Sequence, residues 1–206
     1  MGGEDLDLVG LLDLVFALAL LVFLVPMMLA LAAAVNISDG GPIFFMHERL
    51  GRGGRTFRCL KFRSMATDAD ERLRRLLAVD PRARAEWAVT QKLRNDPRVT
   101  PLGRFLRQSS LDELPQIINV LRGEMSLVGP RPIVGAEISR YGRRFADYCR
   151  VRPGITGLWQ ISGRNDVDYR RRVAMDVIYA RRRSPGLYLY ILVMTAPAVL
   201  LRRGAY

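Results

Sequence analysis

From Leu14 to Val35 the chain reads LVFALALLVFLVPMMLALAAAV, 22 residues without a charge, and no other feature limits its folding as strongly. At ~1.5 Å of rise per residue, such a run taken as a helix matches a hydrocarbon core of ~30 Å. A secretory signal peptide needs a basic leader, whereas residues 1–13 hold Glu4, Asp5, Asp7 and Asp13 and no Lys or Arg, so that reading is excluded. Pro26 stands near the middle of the run. It lacks an N–H and its ring opposes the carbonyl of Val22, so a kink or break is expected there. Two topologies remain open: a kinked helix that crosses the bilayer, and a helix-break-helix that dips into one leaflet and returns. The sequence beyond residue 48 is rich in arginine, which places the bulk of the chain in the cytoplasm in either case.

With 206 residues, 50% of them hydrophobic, the chain is long enough for one domain with a real core. The net charge is +12, carried by 30 Arg against only Lys61 and Lys92. Such a surface implies an acidic partner: nucleic acid, anionic lipid headgroups or a phosphorylated small molecule. Charge by itself does not choose among them. Cys59 and Cys149 are far apart and form no C-x-x-C spacing, which points to reduced thiols rather than a disulfide framework or a zinc site. His47, the sole histidine, argues against His-rich metal sites and is expected to be an ordinary surface residue.

Residues 36–42 (NISDGGP) read as a hinge, and residues 43–65 as short strands around a Gly-rich turn. The GRGG of that turn lacks P-loop or dinucleotide-fold spacing, so a plain hairpin is favoured over a phosphate cradle. Thr67 to Val79 reads as a helix ended by Asp80-Pro81, followed by a second helix through Trp87 to about Leu93. Ser110 to Arg122 is expected to be one helix closed by Gly123. Setting Asp112 at its mouth is the cheaper register, because Pro115 then falls within the first turn. Residues 125–132 suggest a short strand into a Gly-Pro turn, 151–165 a loop, and 166–183 a helix. The last apolar stretch, 187–201, is too short before Pro197 to span and is expected on the membrane surface.

Asp112 and Glu113 are adjacent acids in an arginine-rich chain. As a bland feature, such a pair caps a helix and is solvated. However, neighbours on a helix point about 100° apart, so the two carboxylates can serve different tasks at one site. Arg104, Arg107, Lys61, Arg63, Arg131 and Arg164 all lie in or beside Gly- or Pro-marked turns. This set suits a polyphosphate: Mg²⁺ takes one or two carboxylates plus phosphate oxygens, guanidinium groups neutralise the rest, and a carboxylate can accept a phosphoryl group. Trp159 is compatible with stacking on a nucleobase or with simple packing.

LKFRSM, SLDELPQIINVLRGEMSLVGPRP, RPGITGLWQISGRN and the terminal GAY resemble, in this order, the bacterial sugar transferases, monotopic polyprenol-phosphate phosphoglycosyl transferases. The resemblance runs from about Asp13 to Tyr206. It implies transfer of a sugar 1-phosphate from a UDP-sugar to undecaprenyl phosphate at the cytoplasmic membrane face, with release of UMP. It makes Asp112 the nucleophile of a covalent phospho-sugar enzyme and Glu113 the partner that, with Asp112, holds Mg²⁺. Lys61 and Arg107 join the catalytic set, Arg63, Arg131, Arg164 and Asn165 face substrate, and Asp176 is a further polar site residue. The implied fold is α+β and mostly helical, with a re-entrant, Pro-broken membrane helix (1–38), a cytosolic catalytic domain (39–206) with short strands, and amphipathic helices on the membrane surface. The family's broken helix carries a Ser-Pro step where this chain has Val25-Pro26, and Val9 to Leu12 replace basic residues before Asp13. A membrane-tethered nucleic-acid-binding module and a silent assembly scaffold rank below the transferase; a homodimer is left open. The GLWQISGR and GAY segments resemble the branch that transfers hexose 1-phosphates.

Overall fold

The computed structural model describes residues 8–90, 93–163 and 167–200. Its first element, α1 (Leu8–Asp39), is a helix of 32 residues with Pro26 inside it. The expected break at Pro26 is absent: helical conformation continues on both sides. The reason is visible in the packing. Val9, Asp13, Ala17, Met28 and Val35 are buried, and Leu21, Leu24, Leu31 and Ala32 are partly buried between them. These positions recur every three or four residues through Pro26, so one continuous face stays docked on the rest of the molecule. The opposite face is apolar and open, with Val22 70%, Phe23 79% and Leu29 66% exposed.

After Gly40 and Gly41 the chain forms β1 (Phe44–Leu50) and β2 (Thr56–Phe62). They pair antiparallel, with Phe45 opposite Lys61, His47 opposite Cys59 and Arg49 opposite Phe57. The GRGG segment is the hairpin turn. The Gly51 N–H donates to the Arg55 carbonyl at 2.7 Å, and Gly53 and Gly54 adopt φ of 68° and 72°, a region glycine enters without steric cost. Next come α2 (Ala69–Val79) and α3 (Pro81–Thr90), as expected from the Asp80-Pro81 stop.

The helix α4 (Pro101–Ser109) was not legible as an element. Thr100 caps it by accepting the Gly103 N–H at 2.9 Å, and Pro101 opens its first turn. Gly103 lets it press onto the end of β2, since a Cβ there would meet the Ser64 carbonyl oxygen at 1.9 Å.

The single helix expected over Ser110–Arg122 is instead two pieces. Ser110 turns left-handed (φ 59°), Leu111–Glu113 make one 3-10 turn, and α5 (Gln116–Leu121) begins after Pro115. Asp112 therefore precedes α5 and does not cap it. The proline, which cannot donate into the preceding turn, separates the pieces.

Residues 126–200 complete the body. β3 (Ser126–Val128) pairs in parallel with β4 (Gly154–Thr156), with the short helices α6 (Ile138–Tyr141) and α7 (Phe145–Tyr148) between them. The stretch expected as loop thus contains β4 and α8 (Leu158–Ile161), held by strand pairing that only the fold supplies. Helix α9 (Tyr169–Arg182) precedes α10 (Pro185–Leu200), which continues through Pro197. Tyr188 and Ile191 of α10 are fully buried, while Leu189, Tyr190, Val193 and Met194 face outward. This is an inward and an outward apolar face rather than an amphipathic surface helix.

Both ends of α1 are tied to this body by polar contacts. Asp13 accepts from the Leu127 N–H at 2.8 Å and from the Tyr188 hydroxyl at 3.0 Å. At the other end Asp39 pairs with the Arg63 guanidinium.

Candidate active site

The β1–β2 hairpin, the turn after α4 and the loop after β3 converge on one open cleft. It is lined by Arg49, Cys59, Lys61, Glu113, Gln116, Arg131, Pro132, Gly154, Ile155 and Gln160. Lys61 comes from the last part of β2, and its ammonium donates to Glu113 Oε1 at 2.5 Å while standing 3.7 Å from Asp112 Oδ2. The two acids therefore share one cation that lies 51 and 52 residues away from them in sequence.

The buried side chain of Asn119 fixes this approach. Its carbonyl accepts the Leu60 N–H at 3.0 Å, and its amide donates to the Arg58 carbonyl at 2.9 Å and to Glu124 at 2.6 Å. One side chain on α5 thereby holds the backbone of β2 on both sides of Cys59, and with it the position of Lys61. Sequence reasoning passed over Asn119, since nothing local distinguishes a zipper of this kind from a surface asparagine.

Asp112 is 7% exposed. Burial pushes its carboxyl above the ordinary aspartate range; Lys61 and Arg107 act against that shift, and Glu113 adds to it. Glu113 goes the other way. Burial opposes ionisation, but the charges of Lys61 and Arg131 and the Lys61 hydrogen bond hold its carboxyl below the usual glutamate range. Paired carboxyls whose environments push them apart are a common basis for dividing roles. Ser110, directly before the 3-10 turn, is the single non-glycine residue with positive φ among those described, the sort of backbone strain that clusters at functional sites.

Arg107 lies in the last turn of α4, its Nε donating to Ser64 Oγ at 2.9 Å. Arg131 reaches the cleft from the Gly-Pro turn and stands 6.0 Å from the Trp159 ring centre; Arg172 covers the same ring at 4.6 Å. Trp159 is thus a buried platform for two guanidinium groups.

Of the expected residues, Asp112, Arg107, Arg63 and Asp176 are not part of the cleft lining. Arg63 is buried against Asp39, away from the cleft lining. Asp176 is 3% exposed and accepts the Tyr141 hydroxyl at 2.7 Å; burial pushes its carboxyl up to about 7. Arg164 and Asn165 lie outside the described residues. Arg49, Gln116 and Gln160 line the cleft but were not among the expected residues. The register of β1 opposite β2 is the signal that would have found Arg49, which shares a hairpin face with Lys61. His47 is exposed beside Arg49, as expected of a surface residue.

Among the described residues no cluster of three or more His, Cys, Asp or Glu exists. A hard cation with phosphate and water ligands needs only one or two carboxylates. Asp112 and Glu113 meet that minimum, and the Lys61 ammonium between them shows that the pair accepts positive charge.

Residues 8–202 match the family described as bacterial sugar transferase. An exopolysaccharide production protein, ExoY, of Rhizobium meliloti is 50% identical over 194 residues, 94% of this chain and 86% of its own length. Undecaprenyl-phosphate galactose phosphotransferase of Salmonella typhimurium is 52% identical over 194 residues, covering 94% of this chain and 40% of that longer protein. UDP-glucose:undecaprenyl-phosphate glucose-1-phosphate transferase of Xanthomonas campestris is 40% identical over 218 residues, 100% of this chain and 42% of its own. With the match extending over nearly all of its length and the acid pair seated beside Lys61 in a basic cleft, this chain belongs to the bacterial sugar transferase family.

Proposed function

We propose that the protein transfers a hexose 1-phosphate from a UDP-sugar to undecaprenyl phosphate, releasing UMP, as the first membrane step of exopolysaccharide, capsule or related glycan assembly. The observation that carries this reading is the buried Asp112 carboxylate 3.7 Å from the ammonium of Lys61, which lines an open cleft with Glu113, Arg49 and Arg131, within a chain whose relatives are named for this chemistry. Asp112 attacks the sugar-bearing phosphorus, and the bond to the bridging oxygen breaks with its electron pair leaving on UMP. A phosphate oxygen of undecaprenyl phosphate then attacks the same phosphorus, and the bond to Asp112 breaks to restore the carboxylate. Neither step requires a proton to be moved, which suits a site whose groups are cations and carboxylates. Lys61 and Arg107 keep Asp112 ionised and neutralise phosphate oxygens. Mg²⁺, held by Asp112 and Glu113, would add charge neutralisation of the diphosphate. Arg63 holds the exit of α1 through Asp39, and Asp176 supports the Arg131 side of the cleft.

The membrane reading is re-entry at the cytoplasmic face, by a helix that bends at Pro26 without breaking there. It is supported by Asp13 and Asp39, both bound to the same body, and by the open apolar face centred on Val22 and Phe23. A helix that crossed the bilayer would carry one of these carboxylates to the far side. A cysteine at Gly2, with Cys59 and Cys149 replaced by serine, is expected to resist impermeant thiol reagents in intact cells; labelling there would establish a spanning helix. The reaction itself is tested by UMP release from a panel of UDP-hexoses with undecaprenyl phosphate. Release from none of them would overturn the assignment.

A further inference from the structure

Arg49 is the basic group of the cleft that the chemistry above leaves without a task. It lies on the same hairpin face as Lys61, because directly opposed residues of an antiparallel pair share a face: Arg49 faces Phe57, and Lys61 lies four positions further along β2. Their backbones are therefore about 13 Å apart along the sheet. Lys61 is satisfied by Glu113 at 2.5 Å. Arg49 and Arg131 differ: among the described residues neither has a carboxylate within ion-pair distance, and Arg49 contacts only the ring nitrogen of His47, at 3.2 Å. Burial and the like charge of Arg131 act against the Arg49 cation, while Glu137 and Glu113 favour it without forming an ion pair. Two guanidinium groups, Arg49 half-buried and Arg131 exposed, thus face one cleft; Glu113 acts on both from beyond ion-pair distance, and a phosphate placed there would take the charge-assisted hydrogen bonds that no carboxylate makes.

We infer that Arg49 and Arg131 form a single phosphate seat used twice: first by the phosphate that departs with the nucleoside, then by the phosphate of the lipid acceptor. This rests on the function proposed above, and in-line displacement supplies the reason. In the first step Asp112 attacks from one side and UMP leaves from the opposite side of the phosphorus. In the second Asp112 is the leaving group, so the acceptor oxygen enters from the side UMP vacated. One anion seat, on the far side of the transferred group from Asp112, then serves both. Lys61 stands beside Asp112, and Arg49 lies further along the same hairpin face.

The test uses the full-length protein in nanodiscs. UMP binding is measured by calorimetry on the Asp112→Asn protein, which needs no turnover, with and without Arg49→Gln. The acceptor step is followed by chasing labelled sugar phosphate from the covalent enzyme onto undecaprenyl phosphate. Losing one charged phosphate contact is expected to weaken UMP binding about 10- to 100-fold and to slow the chase at low acceptor by a similar factor. Arg49→Lys, which keeps the charge and loses the planar fork, should fall between. UMP should also compete with undecaprenyl phosphate in the chase. Unchanged UMP affinity in Arg49→Gln, loss confined to one of the two measurements, or UMP inhibition that added acceptor does not relieve would overturn the shared seat. Should Arg49→Gln fail to fold, Arg49→Lys decides by the same criteria. Failure of the functional reading itself would register differently, as wild-type protein releasing no UMP.

Discussion

Asp112 and Asp176 are both buried carboxyls pushed upward by desolvation, yet they sit in unlike surroundings. Asp112 lies in the 3-10 turn just after the strained Ser110, with Lys61, a cleft-lining residue, beside it. Asp176 is buried on the face of α9 that also carries Val173 and Val177, and its close partner is the Tyr141 hydroxyl. Both are costly to bury. In the first region the cost is met by a cation on a flexible stem that a substrate can share; in the second it is met first by a fixed neutral donor and then by the charges of Arg131 and Arg172. That difference underlies the proposed division between a carboxylate for chemistry and one that holds a wall in place.

The sharpest way to break this comparison is to neutralise each acid without changing its shape. Asp112→Asn is expected to lower turnover by on the order of 10³-fold or more and to abolish covalent labelling by UDP-sugar, because no nucleophile remains. Asp176→Asn should cost less than about tenfold, acting through the neighbourhood of Arg131. Equal losses in the two variants, measured by UMP release, would place Asp176 in the reaction itself.

A smaller effect appears in stability against pH. Asp176 holds its proton up to about 7 in the folded chain, whereas an unfolded aspartate releases it near ~3.9. Stability from this group is thus fully present below about pH 4 and is lost as pH rises through about 7, up to about 4 kcal/mol in the limit. Asp176→Asn has no such titration, so thermal unfolding in detergent should show it gaining on the wild type between pH 5 and 8. Parallel unfolding curves for the two proteins would remove the buried proton from Asp176.

The smallest expected change concerns Glu113. With Asp112 as the proposed nucleophile, activity should fall as acid protonates it, and the Glu113 charge helps hold that pKa up. Glu113→Gln, besides lowering activity, should move the acid limb of kcat/KM to lower pH. A limb displaced upward would mean that Glu113 acts on Asp112 mainly by some route other than its charge.

Much of the reactive chemistry was legible because it is local. Asp112 and Glu113 are neighbours, Pro115 restricts the backbone just beyond them, and the Gly-Pro turn before Arg131 reads directly from its residues. The long uncharged run announced a long apolar helix for the same reason: hydropathy is a property of a stretch, whatever it packs against. Turn chemistry likewise placed the β1–β2 hairpin and the α2–α3 stop.

Beyond the reach of the sequence lies everything that depends on two distant stretches meeting. Whether Pro26 breaks α1 is settled by the face from Val9 to Val35 that stays docked across it, since tertiary packing outweighs one missing hydrogen bond. Whether Arg63 meets substrate or Asp39 depends on where α1 ends relative to β2. Asn119 matters only because α5 lies against β2, and Arg49 only because strand register turns it to the Lys61 side. Residue types and short spacings are set by the order of the chain. The partners of a buried charge are set by packing, because a charge removed from water takes whichever opposite charge or donor the fold brings within reach.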